Sequence, residues 1–192
     1  ALASARAAGE AVADLRQADF SKFDALVLSP GVPLTHPAPH WTVRRAQAAG
    51  IEIIGDTEVF AREVEGTGAE IVAITGTNGK STTTALVHHL LSAAGVPVLM
   101  GGNIGLPILA QDPLPQGGVY VLELSSYQID LTQGLDCDIA VLLNITPDHL
   151  DRYDSFEAYA ASKMRLLEMS SGLAIDMRAR AQAGVQGSAH AP

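Results

Sequence analysis

The stretch that most constrains the fold is Ile71-Val-Ala-Ile-Thr-Gly-Thr-Asn-Gly-Lys-Ser-Thr82. It begins as an apolar, β-branched run that is typical of a buried parallel strand. Gly76 and Gly79 then allow a sharp turn whose backbone N–H groups point inward, and a helical pattern follows. The stretch therefore predicts a strand, a phosphate-binding loop and a helix in direct succession.

The residues after this turn suit a nucleotide that carries magnesium. Lys80 adds a mobile positive charge for the β- and γ-phosphates, and the Ser81 hydroxyl can ligate the metal. The spacing departs from the common G-x-x-x-x-G-K-[ST] pattern, and the alternative is a plain Gly/Asn turn followed by an exposed lysine. We predict ATP binding through Gly76, Thr77, Asn78, Gly79, Lys80, Ser81 and Thr82.

Composition narrows the remaining classes of protein. With 192 residues, 47% of them hydrophobic, the chain is able to bury a core, so disorder is not the expected state. A net charge of −9 argues against a nucleic-acid or anionic-membrane surface, and no apolar run is long enough to span a bilayer. Cys137 is the only cysteine, which excludes an internal disulfide and is compatible with a reducing cytosol. We expect a cytoplasmic monomer without nucleic-acid or membrane partners.

The first part of the chain alternates short strands and helices. Asp24-Ala-Leu-Val-Leu-Ser29 predicts a strand, and Ser29-Pro-Gly-Val-Pro33 an irregular loop at its carboxyl end. The elements predicted next are a helix over residues 39–50, a strand over 51–54 and a helix from Asp56 to about residue 64. This β-α-β-α pattern indicates a partial Rossmann-like N-terminal domain over residues 1–66, followed by a glycine-containing hinge.

The second part predicts a larger central domain over residues 67–170. Besides the strand and phosphate loop, the predicted elements are helices at 82–94 and 156–169 and strands at 96–100, 119–124 and 139–143. Strands joined by helices form parallel sheets, so we assign the chain to the α/β class, with a P-loop-type central domain whose mainly parallel sheet is flanked by helices. Residues 171–192 lack periodicity and are expected to be a disordered tail.

Two polar residues follow predicted strands of this central domain. Glu123 ends an apolar strand, where a charge needs a partner or a metal; the alternative is a carboxylate that bonds Ser125 and Ser126. His149 follows the next strand. Because parallel strands end at one edge of the sheet, we expect both side chains to meet the phosphate loop in one crevice. The residues interpreted as solvated surface include Arg44 and Arg45.

With these residues assembled, the chain resembles the Mur ligase family over most of residues 24–168. The matching strings are Ser29-Pro-Gly-Val-Pro-Leu-Thr35, Gly55-Asp-Thr-Glu-Val-Phe60, Thr75-Gly-Thr-Asn-Gly-Lys-Ser-Thr82, Gly102-Asn-Ile-Gly-Leu-Pro107, Leu122-Glu-Leu-Ser-Ser-Tyr-Gln128 and Asn144-Ile-Thr-Pro-Asp-His-Leu-Asp-Arg-Tyr153, followed by Lys163. The phosphate loop is shared across the family and with folylpolyglutamate synthetase. The fifth and sixth strings are similar to those of the members that use D-glutamate.

The resemblance implies an ATP-dependent synthetase of peptidoglycan precursors. Its substrates would be UDP-N-acetylmuramoyl-L-alanine and D-glutamate. The γ-phosphoryl group of ATP would pass to the substrate carboxylate, and the amine of D-glutamate would attack the acyl phosphate. Two anions must be brought together in such a reaction, so two Mg²⁺ ions and Lys80 are expected to neutralise charge while positioning does the rest.

The resemblance also implies roles for individual residues. Lys80 and Ser81 would bind phosphate and magnesium, and Glu123 would bind the first Mg²⁺. His149 and a carbamylated Lys163 would bind the second, which makes Lys80, His149 and Lys163 the implied catalytic residues. Without the family, Lys163 would be interpreted as an exposed lysine paired with a glutamate of its own helix.

Substrate contacts and departures from the family complete the interpretation. The resemblance assigns the substrate-binding role to Gly31, Asn103 and Ser125. The chain lacks the first strand and glycine loop of the family's N-terminal domain and stops where a C-terminal domain is expected, so we expect no activity from it alone. The alternatives are a nucleotide-binding module without catalysis and a folylpolyglutamate synthetase-like ligase.

Overall fold

The computed structural model describes residues 7–9, 11–149 and 151–178. After a 3₁₀ turn at Phe20–Lys22, the first unit comprises strand β1 (Ala25–Val27), helix α1 (Trp41–Ala49) and strand β2 (Glu52–Ile54). The two strands pair in parallel, with Leu26 opposite Ile53. This is the predicted β-α-β pattern.

Arg45 of α1 holds the segment that precedes β1. Its guanidinium donates to the carbonyl oxygens of Leu15, Arg16 and Ala18 at 2.6–2.8 Å and lies over the ring of Phe20 at 4.6 Å. Arginine presents several donors in a fixed plane, which suits three carbonyls at once. The interpretation of Arg45 as solvated surface is therefore wrong.

The second unit is built on one five-stranded parallel sheet. Its elements are helix α2 (Asp56–Val64), strand β3 (Glu70–Thr75), helix α3 (Lys80–Ala93), strand β4 (Val98–Gly102), a 3₁₀ turn (Ile108–Ala110), strand β5 (Val119–Glu123), helix α4 (Ser126–Asp130), strand β6 (Ile139–Leu142), helix α5 (Phe156–Glu168) and strand β7 (Leu173–Asp176). The strand order in the sheet is β4-β5-β3-β6-β7. The predicted α/β class with a mainly parallel sheet is confirmed.

Alternate residues of the central strands fill two separate cores. Ala73 of β3 and Leu122 of β5 face α2 and α5, whereas Ile74 and Val121 face α3. Side chains of a strand point to opposite faces in turn, so continuous apolar runs bury both faces of the sheet. A sheet covered on both faces exposes only its edges, and ligands bind at the carboxyl edge.

Helix α2 packs against the central sheet, although the predicted boundary at residue 66 assigns it to the first domain. The ring of Phe60 meets that of Tyr120 edge to face at a centroid distance of 4.9 Å. Glu58 is 2% exposed and accepts hydrogen bonds of 2.7 Å from the backbone N–H groups of Gln133 and Gly134. By its contacts, α2 belongs to the central unit.

Strand β7 corrects the expectation of a disordered tail from residue 171. Leu173–Asp176 pairs in parallel with β6, and the Leu173 N–H donates to the Asp138 carbonyl oxygen at 2.8 Å. Half-exposed edge strands need little apolar periodicity, which is why the sequence pattern missed this one. Residues 179–192 of the predicted tail lie outside the described part. In that described part, no helix has the length and apolar character needed to cross a membrane.

Candidate functional site

The predicted site residues follow three neighbouring strands at the carboxyl edge of the sheet. Ile74 lies opposite Glu123 in the β3–β5 ladder, and Thr75 lies opposite Leu142 in the β3–β6 ladder. The phosphate loop leaves β3 at this level, and the segment that carries His149 leaves β6. The topology therefore brings together the strand ends that the sequence predicted would converge.

The phosphate loop has the backbone that its glycines allow. Gly76 has φ +152° and Gly79 has φ +83°, and a Cβ at Gly76 would lie 3.1 Å from the Leu143 Cβ atom. Lys80 folds back so that its ammonium donates to the Thr77 carbonyl oxygen at 2.9 Å. Ser81 stands exposed in the first turn of α3. Helix α3 begins at Lys80, two residues earlier than predicted, so the loop leads directly into the positive end of a helix dipole.

Asn144 fastens the phosphate loop to the segment after β6. Its side-chain oxygen accepts from the Asn78 N–H at 2.9 Å, and its amide group donates to the Asn78 carbonyl oxygen at 2.9 Å. The Thr77 hydroxyl lies 3.0 Å from the Tyr159 hydroxyl of α5. Sequence reasoning did not single out Asn144 or Tyr159; the available signal was an asparagine directly after a buried strand.

Glu123 is buried, and only one of its carboxylate oxygens has a partner. The side chain is 1% exposed, and Oε1 accepts from the side-chain amide of Asn103 at 2.9 Å. Oε2 has no hydrogen-bond partner among the described residues. Ser125 instead caps α4 by bonding with Gln128, so the alternative in which Ser125 and Ser126 satisfy the carboxylate is wrong. A buried, unpartnered carboxylate oxygen fits a cation ligand.

Lys163 lies inside the protein and faces the same edge. It is 2% exposed, and its ammonium nitrogen lies 5.0 Å from the centre of the Tyr159 ring. Burial, helped by the nearby charge of Lys80, lowers the pKa of Lys163 to about 8, while Glu123 and other carboxylates oppose the shift. The alternative of an exposed lysine on the helix surface is wrong.

His149 is half exposed and has a left-handed backbone with φ +52°. Its Nε2 atom lies 3.5 Å from an Asp148 carboxylate oxygen, and its ring lies 5.2 Å from the ring of Tyr127. Over the described ranges, His, Cys, Asp and Glu side chains form no group of three that could hold a metal by themselves. The predicted magnesium ligands are not all of these four residue types, since they include the Ser81 hydroxyl and a modified Lys163.

The first unit meets the central unit across a narrow crevice. The residues that line it are Pro30, Val32, Leu34, Thr35, His36, Tyr127, Asp130, Leu131, Arg152 and Tyr153. Arg152 donates to the Gly31 carbonyl oxygen at 3.3 Å, and His36 bonds the Asp154 carboxylate at 2.9 Å. Gly31 is exposed beside this crevice, whereas Asn103 and Ser125 lie at the Glu123 end of the sheet edge. Sequence reasoning named neither Arg152 nor Tyr127 as a site residue.

Comparison with known proteins identifies the family to which these features belong. The sequence model of the Mur ligase middle domain matches residues 74–182, which include the phosphate loop, Glu123, His149 and Lys163. The chain belongs to the Mur ligase family. The predicted resemblance to this family is confirmed.

Several Mur ligases of known name are similar to the chain at high identity. It is 58% identical over 167 residues to UDP-N-acetylmuramoylalanine--D-glutamate ligase from Caulobacter vibrioides, covering 85% of the chain and 36% of the relative. The ligase of the same name from Novosphingobium aromaticivorans is 60% identical over 159 residues, covering 82% and 35%. The chain thus spans little more than a third of the length of these relatives.

Solved Mur ligase structures share the fold. The UDP-N-acetylmuramate:L-alanyl-gamma-D-glutamyl-meso-diaminopimelate ligase from Neisseria meningitides superposes with a TM-score of 0.56 at 22% identity, covering 91% of the chain and 59% of that structure. MurF ligase from Thermotoga maritima in complex with ADP gives a TM-score of 0.52 at 21% identity, covering 83% and 47%. At these identities, the likeness establishes the fold of the chain.

Proposed function

We propose that this chain is the ATP-binding part of a ligase that joins D-glutamate to UDP-N-acetylmuramoyl-L-alanine. The observation that carries the proposal is the Glu123 Oε2 atom, which has no partner among the described residues and lies at the sheet edge where the phosphate loop leaves β3. A buried carboxylate next to a phosphate loop suits a cation that travels with a nucleotide. The names of the similar proteins support the choice of substrates.

The residues of the chain would divide the work by position. The backbone N–H groups of Gly79, Lys80 and the start of α3 would receive the phosphates, because those of Thr77 and Asn78 already donate to Asn144. The Lys80 ammonium would move from the Thr77 carbonyl oxygen to the β- and γ-phosphates. The contacts of Asn144 and Tyr159 would keep the loop in shape before the nucleotide arrives.

We propose two magnesium positions at this edge. Ser81 and Glu123 would hold the first ion, and His149 with a modified Lys163 would hold the second. Bound magnesium would supply positive charge to the phosphate oxygens and the substrate carboxylate, which lowers their mutual repulsion. Among the described residues nothing bonds the buried Oε2 atom of Glu123, and burial of an unbonded carboxylate oxygen is costly, which supports a metal ion as its partner.

The modification of Lys163 would be a carbamate. The neutral amine would attack the carbon of carbon dioxide. A C–N bond would form while one C=O π bond opens and leaves its electron pair on oxygen, and one amine proton would pass to solvent. Burial supports this reaction, since it lowers the pKa of Lys163 to about 8 and so enlarges the neutral fraction. A carbamate would present anionic oxygens, which Mg²⁺ prefers, in place of an ammonium that would repel it.

The substrates would be arranged on both sides of the crevice. Gly31 of the first unit and Asn103 and Ser125 of the central unit would contact UDP-N-acetylmuramoyl-L-alanine. Its carboxylate would take the γ-phosphoryl group, with ADP as leaving group, and the amine of D-glutamate would then displace phosphate from the acyl phosphate. A reducing cytoplasm suits the free, buried thiol of Cys137. We also propose that the protein acts as a monomer.

A chimera tests this function. The chain would replace the matching segment of the Caulobacter vibrioides relative, to which it is 58% identical. We expect phosphate release that requires ATP, D-glutamate and UDP-N-acetylmuramoyl-L-alanine together, and no turnover from the 192-residue chain alone. Turnover on a folate substrate, or ATP binding without any ligase activity when both substrates are present, would contradict the proposal.

A further inference from the structure

Arg152 occupies an unusual position in the crevice between the two units. Its guanidinium carbon lies 4.6 Å from the centre of the Tyr127 ring, so the arginine is stacked on an aromatic face. The one hydrogen bond that its guanidinium makes to a described residue goes to the Gly31 carbonyl oxygen at 3.3 Å, which is at the long end of the range for an N–H···O bond. Most of its donors are therefore left for another acceptor.

Three carboxylates of this region have other partners. Asp148 pairs with His149, Asp154 with His36 and Asp130 with Arg165. Among the described residues, no carboxylate oxygen forms a salt bridge with Arg152 within 4.0 Å. The chain carries 21 acidic and 12 basic residues, so an arginine beside several aspartates would ordinarily pair with one. Its position is explained if the guanidinium is kept for an anion that arrives from outside.

The stacking fixes which part of Arg152 faces such an anion. An aromatic ring covers the face of the guanidinium and leaves its N–H edge open, and that edge matches phosphate and carboxylate oxygens in a two-pronged contact. The centre of the Tyr127 ring lies 5.2 Å from that of His149, and the Tyr153 ring stacks on the Tyr127 ring at a centroid distance of 6.0 Å. An anion on Arg152 would therefore sit between the Gly31 loop and the segment that carries His149.

We propose that Arg152 is a substrate-binding residue that grips an anionic group of the UDP-linked substrate. The inference rests on the proposed function, because it takes the substrate from there, and it adds a residue to Gly31, Asn103 and Ser125. The bound anion replaces the weak contact between Arg152 and the Gly31 carbonyl oxygen. Two groups of the substrate are anions that a guanidinium can bind, namely the diphosphate and the terminal carboxylate. Binding of ligands that carry only part of the substrate distinguishes between them.

The experiment compares Arg152→Gln with Arg44→Gln in the chimera described above. Arg44 is exposed on α1 and serves as the matched loss of one positive charge. Dissociation constants are measured by calorimetry for UDP, UDP-N-acetylglucosamine, UDP-N-acetylmuramoyl-L-alanine and ATP. We expect Arg152→Gln to lower the affinity for UDP-N-acetylmuramoyl-L-alanine by roughly tenfold or more, as for a lost charge-assisted hydrogen bond. The affinity for ATP should change by less than about twofold.

The pattern across ligands assigns the anion. Equal weakening of all three UDP ligands identifies the diphosphate, and weakening of UDP-N-acetylmuramoyl-L-alanine alone identifies the carboxylate. Unchanged affinity for all UDP ligands would overturn the assignment, and so would an equal loss of ATP affinity, which would mean that Arg152 only supports the fold. A parent chimera that binds ATP but no UDP-N-acetylmuramoyl-L-alanine would instead contradict the proposed function, and this inference with it.

Discussion

Asn103 and Glu123 are joined by two hydrogen bonds. The side-chain amide of Asn103 donates to Glu123 Oε1 at 2.9 Å, and its backbone N–H donates to the Glu123 carbonyl oxygen at 2.8 Å. The pair fixes the direction of the carboxylate and leaves Oε2 without a partner among the described residues. In the proposed function, this contact would hold the carboxylate in position for a metal ion.

Glu123→Gln should weaken magnesium-dependent nucleotide binding without unfolding the chain. An amide keeps the shape of the side chain but removes the anionic oxygen that would face the ion, so the affinity for a non-hydrolysable ATP analogue with Mg²⁺ should fall about tenfold or more. Calorimetry of the chain measures this, and thermal unfolding checks the fold. Glu70→Gln, at the exposed start of β3, should leave binding unchanged. If Glu123→Gln bound the analogue as tightly as the parent, Glu123 would not be a magnesium ligand.

Gly102→Ala should destabilise the chain because it disturbs the same pair. Gly102 has φ +89°, and a Cβ there would overlap the Glu123 carbonyl oxygen. Gly95 is a matched control, since it has φ +78° with nothing within 4 Å of an added Cβ. We expect Gly95→Ala to cost about 1 kcal/mol of unfolding free energy from backbone strain alone, and Gly102→Ala to cost roughly 2 kcal/mol more. Urea unfolding of both variants gives the difference, and equal losses would show that the overlap relaxes freely.

The sequence predicted the meeting of polar strand ends because that feature depends on periodicity and strand direction alone. Glu123 and His149 follow buried strands, and parallel strands end at the same edge whatever the details of packing. The bond between Thr77 and Tyr159 was not predictable in this way, since 82 residues separate the two and no local pattern links them. Contacts between residues far apart along the chain depend on how the helices pack against the sheet.

The sequence did not reveal which sheet α2 packs against, for a related reason. Its sequence shows where the helix is, and its apolar stripe shows that one face is buried, but neither says against which sheet. The decisive contacts are the Phe60–Tyr120 pair and the hydrogen bonds of Glu58, both with residues far along the chain. Strand β7 was missed because Leu173 and its neighbours lie at an exposed sheet edge, where burial leaves little pattern.

Glu58 should stabilise the chain in a pH-dependent manner. Burial by itself would raise the pKa of Glu58, but hydrogen bonds from Gly134, Gln133 and Arg62 outweigh it and lower the pKa below its ordinary value of 4.5. The folded state therefore favours the carboxylate, and its contribution is present above pH 4.5 and is lost as the pH falls through the lowered folded value.

The Glu58→Gln variant measures that contribution. Near neutral pH we expect a loss of roughly 2 kcal/mol in unfolding free energy, as for a buried charged hydrogen-bond acceptor. The difference from the parent should shrink in acid, below the ordinary pKa of 4.5. Glu63→Gln on the exposed side of α2 should have no such effect. A difference that stays constant down to acid pH would contradict the role of the charge.

Lys80→Ala should abolish most nucleotide affinity while the fold survives. Within the described part of the chain, the ammonium bonds the Thr77 carbonyl oxygen alone, so its removal breaks one bond of the loop. Loss of a charge that would meet phosphates should weaken binding of an ATP analogue by about tenfold or more. Calorimetry measures the affinity, and Lys22→Ala, whose side chain is 78% exposed, is the control. Equal affinity in both variants would contradict the phosphate-loop assignment, and in the chimera turnover should fall with binding.

Lys163 should react with carbon dioxide, whereas exposed lysines should not. Its side chain is 2% exposed, and burial with the charge of Lys80 lowers its pKa to about 8, so its neutral amine is far more abundant at neutral pH than that of an ordinary lysine. Carbon-13 NMR of the chain in labelled bicarbonate with Mg²⁺ should show a carbamate resonance, separate from that of the α-amino group, that disappears in Lys163→Arg and persists in Lys22→Arg. If Lys163→Arg unfolds, Lys163→Gln serves in its place, since it is shorter and uncharged.

In the chimera, either substitution of Lys163 should lower turnover strongly with little change in the Kd for ATP. If no carbamate resonance depends on Lys163 and the Lys163→Gln chimera keeps full turnover, Lys163 serves only to fill the interior beside Tyr159.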